Sequence, residues 1–372
     1  MTKPVFIVIC SLCTLASGAS AQISFSGQTA AHFFQSAAIQ SPRALNGGHP
    51  SFGWEADLFV DASVTDNILA LATLRGSETR QIDFDYLAMR LIDLTPLPVN
   101  LQAGKFDLPF GNLADRRYPR RNNLFSLPLI YEYRTALPNY YLTESDLVLN
   151  RARGRGMRLL DLGMYGVGAM VFGSEGILDY AFSLTSGTIS STSYQTPNVI
   201  NGLSKVVRLA ITPVAGLTIG GAYTWGAYLV DQYLPSSLYI DLSTYVQKAA
   251  EFDVEFSRGH FVFYGEGVYN VWPVPLVTRD EDLTVFGYYL EGKYTIIPRL
   301  SVALRVSGLR FGNVLLGSVN QPWDDNVIEW EGGLGYFLDR DVVVKLVRRE
   351  TRTQGASSPK DHLTVLQIAV AY

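Results

Sequence analysis

The stretch Asp115-Arg116-Arg117-Tyr118-Pro119-Arg120-Arg121-Asn122-Asn123 places four guanidiniums within six residues. Across 115–158 there are nine arginines (116, 117, 120, 121, 134, 151, 153, 155 and 158) against four acids, Asp115, Glu132, Glu144 and Asp146, a local charge of +5. The guanidinium fork matches phosphate and carboxylate oxygens, and arginines around a pore lower the barrier for anions and raise it for cations. Carboxylates offer the opposite sign. Glu251, Asp253 and Glu255 recur at every second position, with Glu266 and Glu291 further on. Residues of these types, so spaced, can sort ions.

Bond-making chemistry is thinly supplied. The histidines are His32, His49, His260 and His362, and neither H-E-x-x-H nor G-x-S-x-G occurs. Asp361 and His362 are neighbours in the chain, and adjacent residues on a loop seldom face one reacting atom. The two cysteines, Cys10 and Cys13, fall at the extreme N-terminus, so the rest of the chain has no thiolate metal or redox site and no C-x-x-C-H haem motif. No cofactor is expected. The acids of Asp280-Glu281-Asp282 and Asp324-Asp325 read as solvated loops, with calcium binding as the alternative.

The N-terminus has the form of an export signal: Lys3, an apolar core from Val5 to Leu15, then Ala19-Ser20-Ala21 as an A-x-A cleavage site. Residues 1–21 are thus expected to be removed, leaving Gln22 as the first mature residue. The remainder carries 29 basic and 34 acidic residues, a net −5 that argues against a nucleic-acid partner.

The elements that would position these charges are strands. After the signal no apolar run reaches the ~20 residues of a spanning helix. What recurs is a run of alternating residues followed by turn residues. In Leu217–Leu229, Leu217, Ile219, Tyr223, Trp225 and Leu229 face one way, and Thr218, Gly220, Ala222 and Thr224 the other. Trp54, Leu58 and Val60 oppose Glu55, Asp57 and Asp61; Phe252 and Val254 alternate with Glu251, Asp253 and Glu255; Ile328 and Trp330 alternate with Glu329 and Glu331. A soluble sandwich also alternates. Aromatic residues near the ends of the apolar faces and carboxylates on the polar faces favour a membrane barrel with a wet lumen. The final strand, Leu363–Tyr372, ends with an aromatic residue on its apolar face, the form of a barrel assembly signal.

Candidate strands begin near 23, 50, 68, 83, 98, 155, 165, 177, 203, 216, 244, 260, 283, 299, 325, 340 and 362. Bacterial single-chain barrels have even numbers. Merging the two candidates within Gly156–Gly173 gives an all-β, transmembrane antiparallel barrel of sixteen strands over 22–372, with fourteen and eighteen as alternatives. Short links at 212–216, 257–260, 298–299 and 339–340 alternate with long ones at 230–243, 273–282, 312–325 and 354–361.

The segment Gly104-Lys105-Phe106-Asp107-Leu108-Pro109-Phe110-Gly111, after a strand and before a long loop, resembles the G-[KR]-F-x-x-P-F-G segment of the phosphate-selective porin O/P-like family. Leu178-Asp179-Tyr180-Ala181 through Gly187, and Asn201-Gly202 to Trp225, are similar to it as well. The resemblance spans about 50–230. It implies a sixteen-stranded homotrimer with a loop folded into each pore. The chain departs from the family in lacking a dense array of lumenal Lys and Arg. Arg208, Lys293, Arg305 and Lys345 share the predicted lumenal wall with Glu251, Asp253, Glu255, Glu266 and Glu291.

The segment 110–153 is a long loop without strand alternation, yet rich in Phe, Leu and Tyr, a composition that needs a surface to pack on. It is expected to fold into the lumen, with Arg116, Arg117, Arg120 and Arg121 at the constriction and Glu251, Asp253 and Glu255 on the facing wall. The alternative is a loop on the rim, its arginines on lipopolysaccharide phosphates. The expected function is a water-filled outer-membrane channel for passive diffusion of small hydrophilic solutes, with a mild preference for anions, phosphate and small carboxylates among them. Lipid bilayer and lipopolysaccharide would surround it. An outer-membrane barrel enzyme and a structural or export barrel are the competing classes.

Overall fold

The computed structural model describes residues 22–36, 49–78, 80–140, 142–148, 154–161, 165–190, 202–230, 241–276, 280–316, 318–354 and 361–372. Residues 1–21, where the sequence predicts an export signal, and Arg151 and Arg153 lie outside them.

Alternation at a period of two gives each strand one apolar and one polar face, and a sheet with such faces is stable in lipid only when it closes and leaves no edge. The chain forms β1 (Gln22–Ser36), β2 (Ser51–Thr65), β3 (Ile68–Ser77), β4 (Arg80–Leu91), β5 (Asn100–Asp107), β6 (Tyr165–Glu175), β7 (Leu178–Ser186), β8 (Leu203–Val214) and β9 (Leu217–Ala227). It continues with β10 (Val246–Arg258), β11 (Phe261–Pro275), β12 (Asp280–Ile297), β13 (Leu300–Phe311), β14 (Asn313–Leu316), β15 (Val319–Pro322), β16 (Asn326–Asp339), β17 (Val342–Gln354) and β18 (Asp361–Ala371). Sixteen of these close into one barrel in which neighbours in the chain are neighbours in space, and β14–β15 is a separate hairpin between β13 and β16. The long link at 312–325 therefore carries strand structure that alternation did not predict.

Closure joins β1 to β18 in an antiparallel register, Gln28 opposite Ala371 and Ser36 opposite Leu363. Tyr372 completes the seam. Its N–H donates to the Gly27 carbonyl at 3.0 Å, and its carbonyl accepts from the Gly27 N–H at 2.8 Å. The faces follow the predicted alternation: Phe252 is 61% exposed on the outside and Asp253 1% exposed on the inside. Along β18, Leu366 and Ile368 face outward, while Leu363, Val365, Gln367 and Ala369 are buried inward.

Observed strands begin within three residues of sixteen predicted starts. The start at 155 is a correction. Residues 154–161 are the returning arm of the long loop: the Gly156 N–H donates to the Thr135 carbonyl, Met157 to Leu137, and Leu160 to Ile130. Among the described residues the long loop thus continues to Asp161 instead of ending at 153. The N–H groups of Gly156, Met157 and Leu160 find their acceptors on the outgoing arm of the loop, which takes the place of a strand neighbour for this segment.

The loop fills much of the lumen. Its short helix Leu129–Glu132 packs against β12 and β13. Leu129, Ile130, Leu137, Leu159 and Leu160 are fully buried in one apolar cluster with Tyr228, Leu229, Trp272, Leu283, Leu309 and Trp323. Trp323 sits edge-on to Phe311 and to Trp272, with centroids 4.8 and 5.9 Å apart. At the long-loop end, the β9–β13 side of the barrel is therefore a packed core, where a wet lumen was expected.

Candidate functional site

The Gly104–Gly111 segment launches the loop. Gly111 has a φ of +72°, and a Cβ there would lie 2.4 Å from the Tyr131 hydroxyl and 2.6 Å from Glu266 Oε1. Both the dihedral and the space demand glycine. The Tyr131 phenol donates to the Glu266 carboxylate, 2.8 Å from each oxygen. Burial raises its pKa well above the ordinary tyrosine value, so it stays protonated as a donor.

The four clustered arginines then part company. Arg116 donates to Asn112 Oδ1 (2.7 Å) and the Tyr289 hydroxyl (2.6 Å), lies 3.6 Å from the Tyr264 ring centroid, and approaches Glu291 at 3.8 Å. Arg117 grips Asp107 with both terminal nitrogens, at 2.7 and 3.1 Å, between the rings of Tyr118 and Tyr165. Both are almost wholly buried, and their charge is consumed by these partners. Arg120 lies over Phe337, bonds the Arg340 carbonyl at 2.5 Å and keeps a 3.9 Å approach to Asp341. Arg121 pairs with Asp115 at 2.5 Å, its side chain 59% exposed. The four therefore form two buried anchors, Arg116 and Arg117, and two more exposed arginines, Arg120 and Arg121, each with an aspartate in reach.

The lumenal wall holds the loop by its backbone. Lys345 is buried and directs its ammonium to three loop carbonyls, those of Pro119 (2.6 Å), Asn122 (3.1 Å) and Leu124 (2.9 Å). Glu331 accepts from the N–H groups of Phe125 and Ser126, and Arg305 donates to the Ser126 carbonyl at 2.8 Å. Arg305 also bridges Glu331 and, at 3.2 Å, Glu291. Arg349 reaches the Ser126 hydroxyl at 2.8 Å, and Asn123 donates to Glu291 at 2.8 Å. A buried charge is costly unless paired and hydrogen-bonded, and these charges meet that condition with loop atoms.

Glu251, Asp253 and Glu255 do not form the wall facing the loop arginines. Arg208 takes Glu251 at 3.2 Å and Asp253 at 2.7 Å, and Glu255 is exposed. The loop instead meets Asp107, Glu266, Glu291 and Glu331, since it swings across to β11, β12 and β16. Lys293 is half-buried on the inward face of β12. Among residues the sequence did not single out, Asn112, Tyr264, Tyr289 and Arg349 complete the anchoring. A legible trace was the pair of tyrosines at inward positions of β11 and β12.

Beside the loop an open cavity of about 370 Å³ runs along β4–β8. Arg90, Arg208, Asp179 and Phe172 line it from the wall, and Phe110 and Arg117 from the loop. Among the described residues no group of three His, Cys, Asp or Glu side chains is placed to hold a metal, and no helix is long and apolar enough to cross a membrane.

No family model matches the chain and no curated protein is similar to it in sequence. Solved structures are similar in fold. An anion-selective porin from Comamonas acidovorans aligns over 95% of this chain and 100% of its own, with a TM-score of 0.63 at 9% identity. The outer membrane channel DcaP of Acinetobacter baumannii aligns over 96% and 99%, with a TM-score of 0.62 at 11% identity. OmpF of Salmonella typhi, solved with daunomycin, aligns over 94% and 97%, with a TM-score of 0.57 at 8% identity. At such identities the likeness is one of architecture: the closed sixteen-stranded barrel of this chain aligns with these structures along nearly its whole length.

Proposed function

We propose that the protein is an outer-membrane porin, a channel for passive diffusion of small hydrophilic solutes with a mild preference for anions. The observation that carries this reading is the closed barrel with an inward loop, tied to one side of the wall and flanked on the other by an open, charged cavity. An apolar outer belt with Phe252, Leu290, Leu304, Trp330 and Leu366 exposed suits lipid. Arg120 and Arg121 at the loop tip supply the preference, and the acids around Arg208 temper it. The resemblance of Gly104–Gly111 to phosphate-selective porins supports anion traffic. Since Arg117, Arg208 and Arg305 are already paired with carboxylates, strict phosphate selection is not part of this reading. The loop occupying the lumen disfavours an export barrel. The resemblance also supports a homotrimer, and residues 1–21 an export signal.

Planar-bilayer recording under a salt gradient tests the reading. Stable conductance steps and a zero-current potential displaced modestly to the anion side are expected. A folded barrel that passes no current would defeat it, and a trimer would show conductance in triplets.

A further inference from the structure

We propose that the cavity along β4–β8 is a transit site for small monocarboxylates bearing an apolar or aromatic body. The proposal rests on the porin reading and names the solute class.

Arg90 is its centre. The Arg90 Nε donates to Gln102 Oε1 at 2.9 Å and one terminal nitrogen to the Tyr86 hydroxyl at 3.3 Å, both neutral acceptors. The guanidinium lies 5.3 Å from the Phe172 ring centroid. No carboxylate pairs with it among the described residues, in contrast to Arg75, Arg117, Arg208, Arg305 and Arg349. Arg90 therefore presents to the cavity a positive charge without a directly bonded carboxylate, with its second terminal nitrogen left to donate, while Asp107 and Asp179 lie in the same lining.

The remaining surface is largely apolar. The loop contributes Leu108, Phe110 and Leu113, and the wall Met170, Ala181 and Ala210. A phosphate ion is hydrated on every side, and it would lose water against these groups without new hydrogen bonds. A carboxylate with a hydrocarbon body meets both halves of the cavity, its oxygens on Arg90 and its body against Phe172 and the loop. Asp179 in the same cavity and the two carboxylates on Arg208 hold the local charge down, which disfavours dianions. A volume of about 370 Å³ admits a solute of benzoate size.

The test uses the purified mature chain in planar bilayers carrying chloride current. Benzoate, acetate and inorganic phosphate are added in turn to one side. Benzoate should reduce the current saturably at concentrations at least tenfold below acetate, with phosphate the weakest. Arg90→Gln should raise the benzoate concentration needed by tenfold or more. Phe172→Ala should erase the difference between benzoate and acetate, and it decides the matter if Arg90→Gln does not insert. Phosphate acting at the same concentrations as benzoate, or variants that leave the benzoate response unchanged, would overturn the proposal while the channel itself stands. A heat-modifiable barrel without any chloride current would instead overturn the porin reading beneath it.

Discussion

Arg117 and Arg121 lie four residues apart, on either side of the extended Tyr118, and meet opposite fates. Arg117 is held on Asp107 between two rings, while Arg121 keeps most of its side chain in water. Replacing Arg120 and Arg121 together with serine should move the zero-current potential toward cations, read as the reversal potential in a salt gradient. Arg117→Ser should act differently. It leaves the half-buried Asp107 carboxylate unpaired, a loss smaller than the about 3–5 kcal/mol of a fully buried pair. Flickering conductance and cleavage of the loop by added protease are its expected signs, with a smaller shift in reversal potential. The concentration of arginine was legible in the sequence. Which arginines are buried was not, because the partners of Arg116, namely Tyr264, Tyr289 and Glu291, are distant in the chain and reach the loop only through barrel closure.

At the scale of elements, strand number and starts were legible because each strand has two chemically different faces. The segment 154–161 misled because its short alternation is satisfied by the loop's own backbone, a pairing that periodicity does not reveal. The two-sided apolar character of β11, with Val268, Trp272 and Val274 inward and Tyr269 outward, was the available sign of a packed core inside the barrel. Between elements, Lys345 is the strongest tie of loop to wall. Lys345→Met leaves three carbonyls of the loop tip without donors, at about 1–3 kcal/mol for each one kept from water. The tip should loosen, and solute-size exclusion in proteoliposome swelling should rise to larger sugars. An unchanged exclusion limit would show that the other anchors suffice. At the seam, Tyr372 holds Gly27 by two backbone bonds. Deleting it should lower the yield of heat-modifiable barrel recovered from membranes, since the last paired position of β18 is lost.

At the scale of the whole molecule, the loop and one side of the barrel wall share an apolar core inside the lumen. Leu129–Leu137 contains residues as buried as any in the wall, so its amides should exchange with deuterium as slowly as those of β12 and β13. Rapid exchange there would show the apolar cluster to be loose. The Lys345 latch joins partners 226 positions apart, at Pro119. Such contacts form late, because a long chain must first be brought round. The loop leaves the barrel wall at β5, yet most of its anchors are on β11, β12, β13, β16 and β17. Until those strands exist, these anchors are missing and the loop's leucines face water. An order of assembly is then expected in which the loop is seated as these strands are added, before the β1–β18 seam shuts. Weakening the latch should therefore slow refolding from urea into detergent or lipid more than it lowers the final amount of barrel, and the first third of the chain would act as the template on which the last third is laid.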